Sequence, residues 1–436
     1  MRPTLPALVL AALAAAPTVY AQSPGPAPAP LPALAPLTFT AYLERVARTN
    51  LDLLARQRDL PLAAAQVSIA RILPDPVVTF GVGTWDPSGR VMPPATTLSL
   101  AWPIELGGRR GARVAAAEAA REVARAGLDD AVRGLRADAA LAWIEVLHTR
   151  QVVDQRRRML ANLERVVEVS ELRLRAGDVG EIAVLQARVE AERFRTEVIA
   201  AEGEARAALL GLRAFAGVEP APSVRGELAV PARALDVEAL VAHAQAARAD
   251  VRAAALAAAQ ARAELTRARA DRWVDATVTV GWAHNFDGLG PNGTTPATVS
   301  ATPPFEQFSA TVALPLPFSR AQRGGLDAAA ARVEQADLSA QAARLRAEVE
   351  VRQAHARYEA ATAALARYDE SLRRDAEQVR SATLYNFQRG GASLLEVLSA
   401  QRTADEVTLG HEEALADRAR RLVELERAAG VWDVAF

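Results

Sequence analysis

The chain contains no cysteine and no lysine among its 436 residues. Without cysteine there is no disulfide framework, no lipid attachment to an N-terminal cysteine, and no thiolate spacing for zinc or copper. The five histidines (His148, His243, His284, His355, His411) are scattered and read as ordinary helix or loop residues. Without lysine the Walker-type phosphate loop is excluded, and "GGRRG" at 107–111 reads as the start of a helix instead. A hydrolase nucleophile elbow is missing too. Nothing here implies a catalytic group or a cofactor, so an enzyme is not expected. The net charge is −1 and the pI near 6.6, which leaves no electrostatic footprint for nucleic acid. Beyond the N-terminus no run approaches the ~18–20 apolar residues of a membrane-spanning helix. Any crossing of a bilayer must be made with strands.

Residues 1–21, ending "PTVYA", read as a secretory signal: Arg2, a short apolar run broken by Pro17, then a small-residue cleavage site. A membrane anchor is the competing reading. Residues 22–37, "QSPGPAPAPLPALAPL", form a proline–alanine linker.

The remainder is written twice. "PDPVVTFG" at 74–81 answers "VDATVTVG" at 274–281, and "LSLAWPIELGGRRG" at 98–111 answers "ATVALPLPFSRAQRGG" at 310–325. "LRAGDVGEIAVLQAR" at 174–188 answers "FQRGGASLLEVLSAQ" at 387–401. A period of roughly 200 residues is far longer than a solenoid unit of ~20–50. The chain therefore divides into repeat 1 (38–225), repeat 2 (226–430) and a short tail (431–436), each repeat running helix, two strands, two long helices.

Residues 113–176 lack proline and are dominated by alanine, leucine, arginine and glutamate, all good helix formers. At 1.5 Å per residue this is a rod of roughly 90–100 Å, too long for a compact domain. A 4,3 spacing runs Leu128, Val132, Leu135, Ala139, Ala142, Val146, Thr149, Val153, Arg156, Leu160, Leu163, Val167, Ser170, Leu174, apolar except at Thr149, Arg156 and Ser170. The helix over 181–215 carries an unbroken seam from Val184 to Phe215. Glycines in "RAGDVG" stop the first rod, so the two fold back as a hairpin. Repeat 2 does the same with one helix over 326–387, the turn "QRGGAS", and a helix over 394–429. Its seam is expected along Leu338, Ala342, Leu345 and Val349.

Segments 77–84, 97–102, 276–283 and 308–314 alternate with period two, one face apolar and the other small and polar. That suits strands with lipid outside and water inside; a soluble β-layer is the alternative. Trp85, Trp102, Trp273 and Trp282 lie in or beside them, where an interfacial girdle belongs. The loops 85–95 and 284–306 read as exposed tips, and Pro103, Pro315 and Pro317 as strand ends. Four strands leave two open edges, which hydrocarbon does not tolerate, and small membrane barrels have about eight strands. Several copies must share one barrel.

These motifs and their ordered duplication resemble the TolC-like outer-membrane factors over about 37–430, in length most similar to the cation-efflux branch of the CzcC type. The resemblance implies a mostly α fold with a membrane β-barrel. Long coiled-coil hairpins would form an α-barrel tunnel, and a homotrimer would close a 12-stranded barrel in the outer membrane. It implies a passive exit duct reaching into the periplasm, with a periplasmic adaptor and an inner-membrane pump of the resistance–nodulation–division class as partners. The acidic gate positions of the family fall on Glu396 and Ser399, of which only Glu396 is acidic. Three Glu396 carboxylates around an axis would attract cations and raise one another's pKa values. In repeat 1 the same positions are Ala183 and Gln186. The family's polar latch falls on Phe387 and Ala392, neither of which is expected to make a salt bridge or charged hydrogen bond. The turns, with Arg175, Gly177, Asp178 and Gly180 in one and Arg389, Gly390, Gly391 and Ser393 in the other, are the expected adaptor-docking points. A periplasmic structural coiled coil and an adaptor subunit stand as rival readings. The cargo, whether metal ions or organic molecules, is not legible.

Overall fold

The computed structural model describes residues 38–82, 95–217, 224, 226–228, 233–285, 305–315, 321–368 and 370–433. The signal peptide, the linker, the loop tips with Trp85, Pro317 and the last three residues of the tail lie outside them.

Repeat 1 holds α1 (Phe39–Thr49), α2 (Leu51–Gln57), α3 (Asp59–Arg71), β1 (Val77–Val82), β2 (Ala95–Ile104), α4 (Arg109–Ala176) and α5 (Glu181–Ala216). Repeat 2 holds α6 (Val237–Ala247), α7 (Ala249–Ala270), β3 (Ala276–Asn285), β4 (Phe305–Ala313), α8 (Ala321–Arg367), α9 (Glu370–Gln388) and α10 (Leu394–Ala429). The single leading helix expected in each repeat is thus a series of shorter ones. Asn50 makes one such break. It ends α1, and its Oδ1 accepts the Leu53 N–H at 2.9 Å to start α2.

All four strands form one antiparallel sheet in the order β1-β2-β3-β4, so β2–β3 pairing joins the repeats and β1 and β4 are its edges. Strand ends differ from the periodicity: β2 runs through Pro103, which stands opposite Thr277. The β1–β2 ladder stops at Ala101, so beyond it β2 has a partner on one side only, and a missing N–H on the other side is harmless.

Beneath the sheet, α3, α4, α7 and α8 lie side by side in that order. Arg71–Glu118 at 2.8 Å and Arg262–Asp337 at 2.5 Å are ion pairs across neighbouring helices. Further down, the short-helix junctions receive the C-termini of α5 and α10. Thr49 Oγ1 donates to the Ala216 carbonyl at 2.6 Å and Asn50 Nδ2 to that of Phe215 at 3.2 Å. In repeat 2 Arg248 Nη1 donates to the Ala428 carbonyl at 2.9 Å, and His243 Nδ1 lies 3.0 Å from that of Ala429. Helix C-terminal carbonyls have no partner within their own helix, and these side chains supply one. The largest core cluster fills this level, with Phe39 and Tyr42 packed on Trp143 at ring separations of 5.7 and 5.1 Å.

Below it α4 pairs with α5, and α8 and α9 with α10. The α5 seam from Val184 to Phe215 is buried or half-buried throughout. The expectations for α8 need two corrections. Its packed seam is Ala347, Val351, Ala354, Tyr358 and Ala361, whereas Leu338 and Leu345 are 65% and 62% exposed. Leucine content misled here: α8 packs on α6, α7 and α10 through alanines with Val351 and Tyr358, and Leu338 and Leu345 face away. Second, α8 does not continue to residue 387 but ends at Arg367, and α9 begins at Glu370. Among the described residues, sheltered positions step by 3 and 4 up to Tyr368, but the next is Ala376, eight residues on, before Arg380, Thr383 and Phe387. One extra residue in the heptad shifts the seam, and the helix yields there.

Candidate functional site

Two regions carry chemistry: the sheet at one end and the hairpin turns at the other. Register places Val78, Phe80 and Val82 of β1, Leu98, Leu100, Trp102 and Ile104 of β2, Val278, Val280 and Trp282 of β3, and Phe308, Ala310 and Val312 of β4 on one face. The opposite face carries Thr79, Gly81, Thr97, Ser99, Thr277, Thr279, Gly281, Gln307, Ser309 and Thr311, with no charged residue. From the row of Ala276 to that of His284 the apolar face spans roughly 26 Å along the strand, or about 20 Å vertically at a ~40° tilt, close to the height of a barrel's lipid-facing band. The band is closed at its outer end by His284, whose Nδ1 lies 2.7 Å from Glu306. Among the described residues no helix is long and apolar enough to cross a membrane.

At the far end both hairpin turns share one geometry. Gly177 and Gly390 adopt φ +80° and +82°, where a side chain is strained. The next residue closes each turn: Asp178 N–H to the Arg173 carbonyl and Gly391 N–H to the Asn386 carbonyl, both 2.9 Å. Just past them Ile182 and Leu395, at matching places in the repeat, are 72% and 78% exposed. Arg175, Gly180 and Arg389 are exposed as well, and the Arg389 guanidinium lies 4.3 Å above the Tyr385 ring.

Only the second turn has a capping box. Ser393 N–H donates to Glu396 Oε2 at 2.7 Å, and Glu396 N–H donates to Ser393 Oγ at 3.3 Å. The Ser393 backbone bond, then its hydroxyl, hold the Glu396 carboxyl below the usual carboxylate range within the single chain. Ser399 is exposed one turn further along α10. In repeat 1 Gly180 and Ala183 stand at the two box positions and cannot form it.

Beneath the turns Val166, Ala187, Phe387, Leu394 and Val397 form a buried cluster from α4, α5, α9 and α10. Phe387 corrects the expectation that its position offers no charged hydrogen bond. Its main-chain carbonyl accepts Arg173 Nη1 at 2.8 Å, and the guanidinium lies 4.7 Å from its ring centre. Two to three turns above Leu394, Gln401 Nε2 donates to Asp405 Oδ1 at 2.8 Å in a buried pair. Burial pushes the Asp405 carboxyl up to about 6, against the hydrogen bond from Gln401 and the charge of Arg380, and with Glu377 and Glu197 adding to the rise. Sequence reasoning missed both Arg173 and Asp405. The available signal was a polar pair four residues apart, at 401 and 405, on the helix face that also carries Leu394, Val397, Ala400 and Ala404; Arg173 had none, being one arginine of many. Among the described residues no group of three or more histidines and carboxylates could hold a metal ion.

A model of the "Outer membrane efflux protein" family matches residues 42–218 and 240–431, one segment per repeat. The cobalt-zinc-cadmium resistance protein CzcC of Cupriavidus metallidurans is 26% identical over 408 residues, 91% of each chain. Among solved structures, the outer-membrane channel OprN matches with a TM-score of 0.71 at 21% identity, covering 90% of this chain and 89% of its own. The open-state outer membrane channel MtrE of Neisseria gonorrhoeae matches with a TM-score of 0.69 at 18% identity, covering 89% and 88%.

Proposed function

The chain belongs to the outer membrane efflux protein family, and on that premise we propose that three copies close into one passive duct, fed by a periplasmic adaptor and an inner-membrane pump of the resistance–nodulation–division class. The observation that carries this reading is a pair of coincident open edges. The sheet ends in β1 and β4, and the helix layer beneath it ends in α3 and α8. The helical edges carry exposed Leu62 and Ile69 on one side and Leu338 and Leu345 on the other. A copy placed beside the first covers both pairs at once, β4 against β1 and α8 against α3. Because β1 and β4 run in opposite directions, every such junction is antiparallel, and three copies give a ring of twelve strands.

In that ring the apolar face meets lipid and the hydroxyl-rich face lines an uncharged lumen. The hairpin turns, with Ile182 and Leu395 exposed beside glycines, suit the helical tip of an adaptor. Glu396 and Ser399 face the axis at the closed end, where Glu396 favours cations. Metal cations are the cargo that the similarity to the cobalt-zinc-cadmium resistance protein supports.

The test has two arms. Detergent-purified protein is expected as a trimer that Leu345→Asp reduces to monomers; a wild-type monomer overturns the assembly. In planar bilayers Glu396→Ala is expected to raise conductance and lower cation preference; unchanged values remove Glu396 from the constriction.

A further inference from the structure

Three buried polar side chains have a backbone partner. Asn50 and Arg248 donate to carbonyls at the C-terminal ends of α5 and α10, and Ser170 Oγ donates to the Val166 carbonyl one turn back. Gln401 and Asp405 instead bond to each other, on the face of α10 that also carries Val397, Ala400 and Ala404. A polar pair in an apolar seam has a desolvation cost that leucine or alanine would not, which points to a role besides packing. The charged groups around Asp405 come from three other helices. Arg380 of α9 acts on it across the seam, and its Nε donates to Glu377 Oε2 at 2.8 Å, one turn back on its own helix. Glu197 of α5 adds a second carboxylate and is itself paired with Arg156 of α4. Two carboxylates therefore compete for the Arg380 guanidinium, Glu377 on its own helix and Asp405 on α10.

The element able to respond is α9. It starts below the break after α8 and ends at the Gly390 turn, so no continuous helix anchors it at either end. A helix of 19 residues held by packing is a unit that can open by itself. We propose that Asp405, Arg380 and Glu377 form an acid switch that sets how tightly α9 packs on α10. With Asp405 protonated, Arg380 stays on Glu377 and the seam is free of net charge at Asp405. With Asp405 ionised, Arg380 is drawn across to it, Glu377 loses its partner, and α9 opens more readily. Burial first, then Glu377 and Glu197, push the Asp405 carboxyl up to about 6 against Gln401 and Arg380. The packed state thus holds the proton more tightly; acid favours packing, and that gain is lost as pH rises through about 6. The switch needs only one chain, and its effect on flow rests on the reading of the α9–α10 end as the constriction.

Hydrogen exchange of the α9 peptides in the detergent-purified protein, corrected for the intrinsic pH dependence of amide exchange, reads this opening. Between about pH 4.5 and 7 the opening ratio is expected to rise by more than about tenfold. Asp405→Asn keeps an acceptor for Gln401 and cannot ionise, so its α9 is expected to stay protected at both pH values. Glu377→Gln frees Arg380 and removes a nearby negative charge, and is expected to move the rise to lower pH. Equal protection of wild-type α9 at both pH values overturns the proposal, as does a rise that Asp405→Asn leaves in place. Should that variant not fold, an unmoved midpoint in Glu377→Gln overturns it instead. In planar bilayers, with Glu396→Ala removing the other carboxylate, conductance is expected to be lower at about pH 4.5 than at 7, and equal at both once Asp405→Asn is added. Exchange that switches through Asp405 without any change in conductance upholds the switch and removes the constriction from α9 and α10. Conductance that follows pH while exchange does not overturns the switch and leaves the constriction in place.

Discussion

Tyr368 lies with its ring against Gly410 of α10, where a Cβ would come within 2.7 Å of the phenol oxygen and 2.8 Å of the ring. The interruption between α8 and α9 is seated in that notch. A knob that needs a bare backbone opposite it makes the break a fixed feature of the second hairpin.

Gly410→Ala therefore forces the tyrosine out or pushes the helices apart, and overpacking of this kind costs about 1–3 kcal/mol. Urea unfolding of the purified protein should show this loss, and Tyr368→Ala in the same chain should recover part of it. Equal stability of the single variant and wild type would mean that the ring does not hold the notch.

Arg248 is buried and ties Asp250 and Glu350, each at 2.7 Å, to the Ala428 carbonyl at the end of α10. Burial opposes its charge, but the two carboxylates outweigh that and hold its pKa above the usual range. Arg248→Met leaves the carbonyl and both acids without their donor. Because the acids are partly exposed, the expected loss is about 2–3 kcal/mol, below that of a fully buried pair. Thermal melts measure it; an unchanged midpoint would mean that water replaces the arginine.

Asp405 makes stability depend on pH in a stated direction. Its folded value, about 6, lies above the ordinary aspartate value of 3.8, so the folded protein binds the proton more tightly. The contribution is fully present below pH ~4 and is lost as pH rises through about 6. The difference is on the order of 3 kcal/mol between the two protonation states. Asp405→Asn is expected to flatten the fall in stability between about pH 4 and 6; a slope identical to wild type would assign it to other groups.

The two-faced strands were legible because a period of two survives any error at strand ends. Even so, Pro103 was placed at a strand end when it lies within β2, since only the register with β3 reveals where β1 stops. The α5 seam was legible because its heptad is unbroken. The α8 seam was not: Leu338 and Leu345 look like a core, and only the neighbouring helix decides that Ala347 and Val351 face inward. The capping box of Ser393 and Glu396 was legible in the spacing of serine and glutamate three residues apart at the start of α10.

Composition and periodicity by themselves determined the duplication, the long rods, the strand faces and the need for other copies, because each follows from local spacing or from the cost of unpaired backbone in lipid. Tertiary structure decided which faces meet within the chain and where α8 breaks, and it paired Arg173 with Phe387, more than two hundred residues away. Contacts at that separation depend on how the helices lie against one another, and no local pattern encodes that.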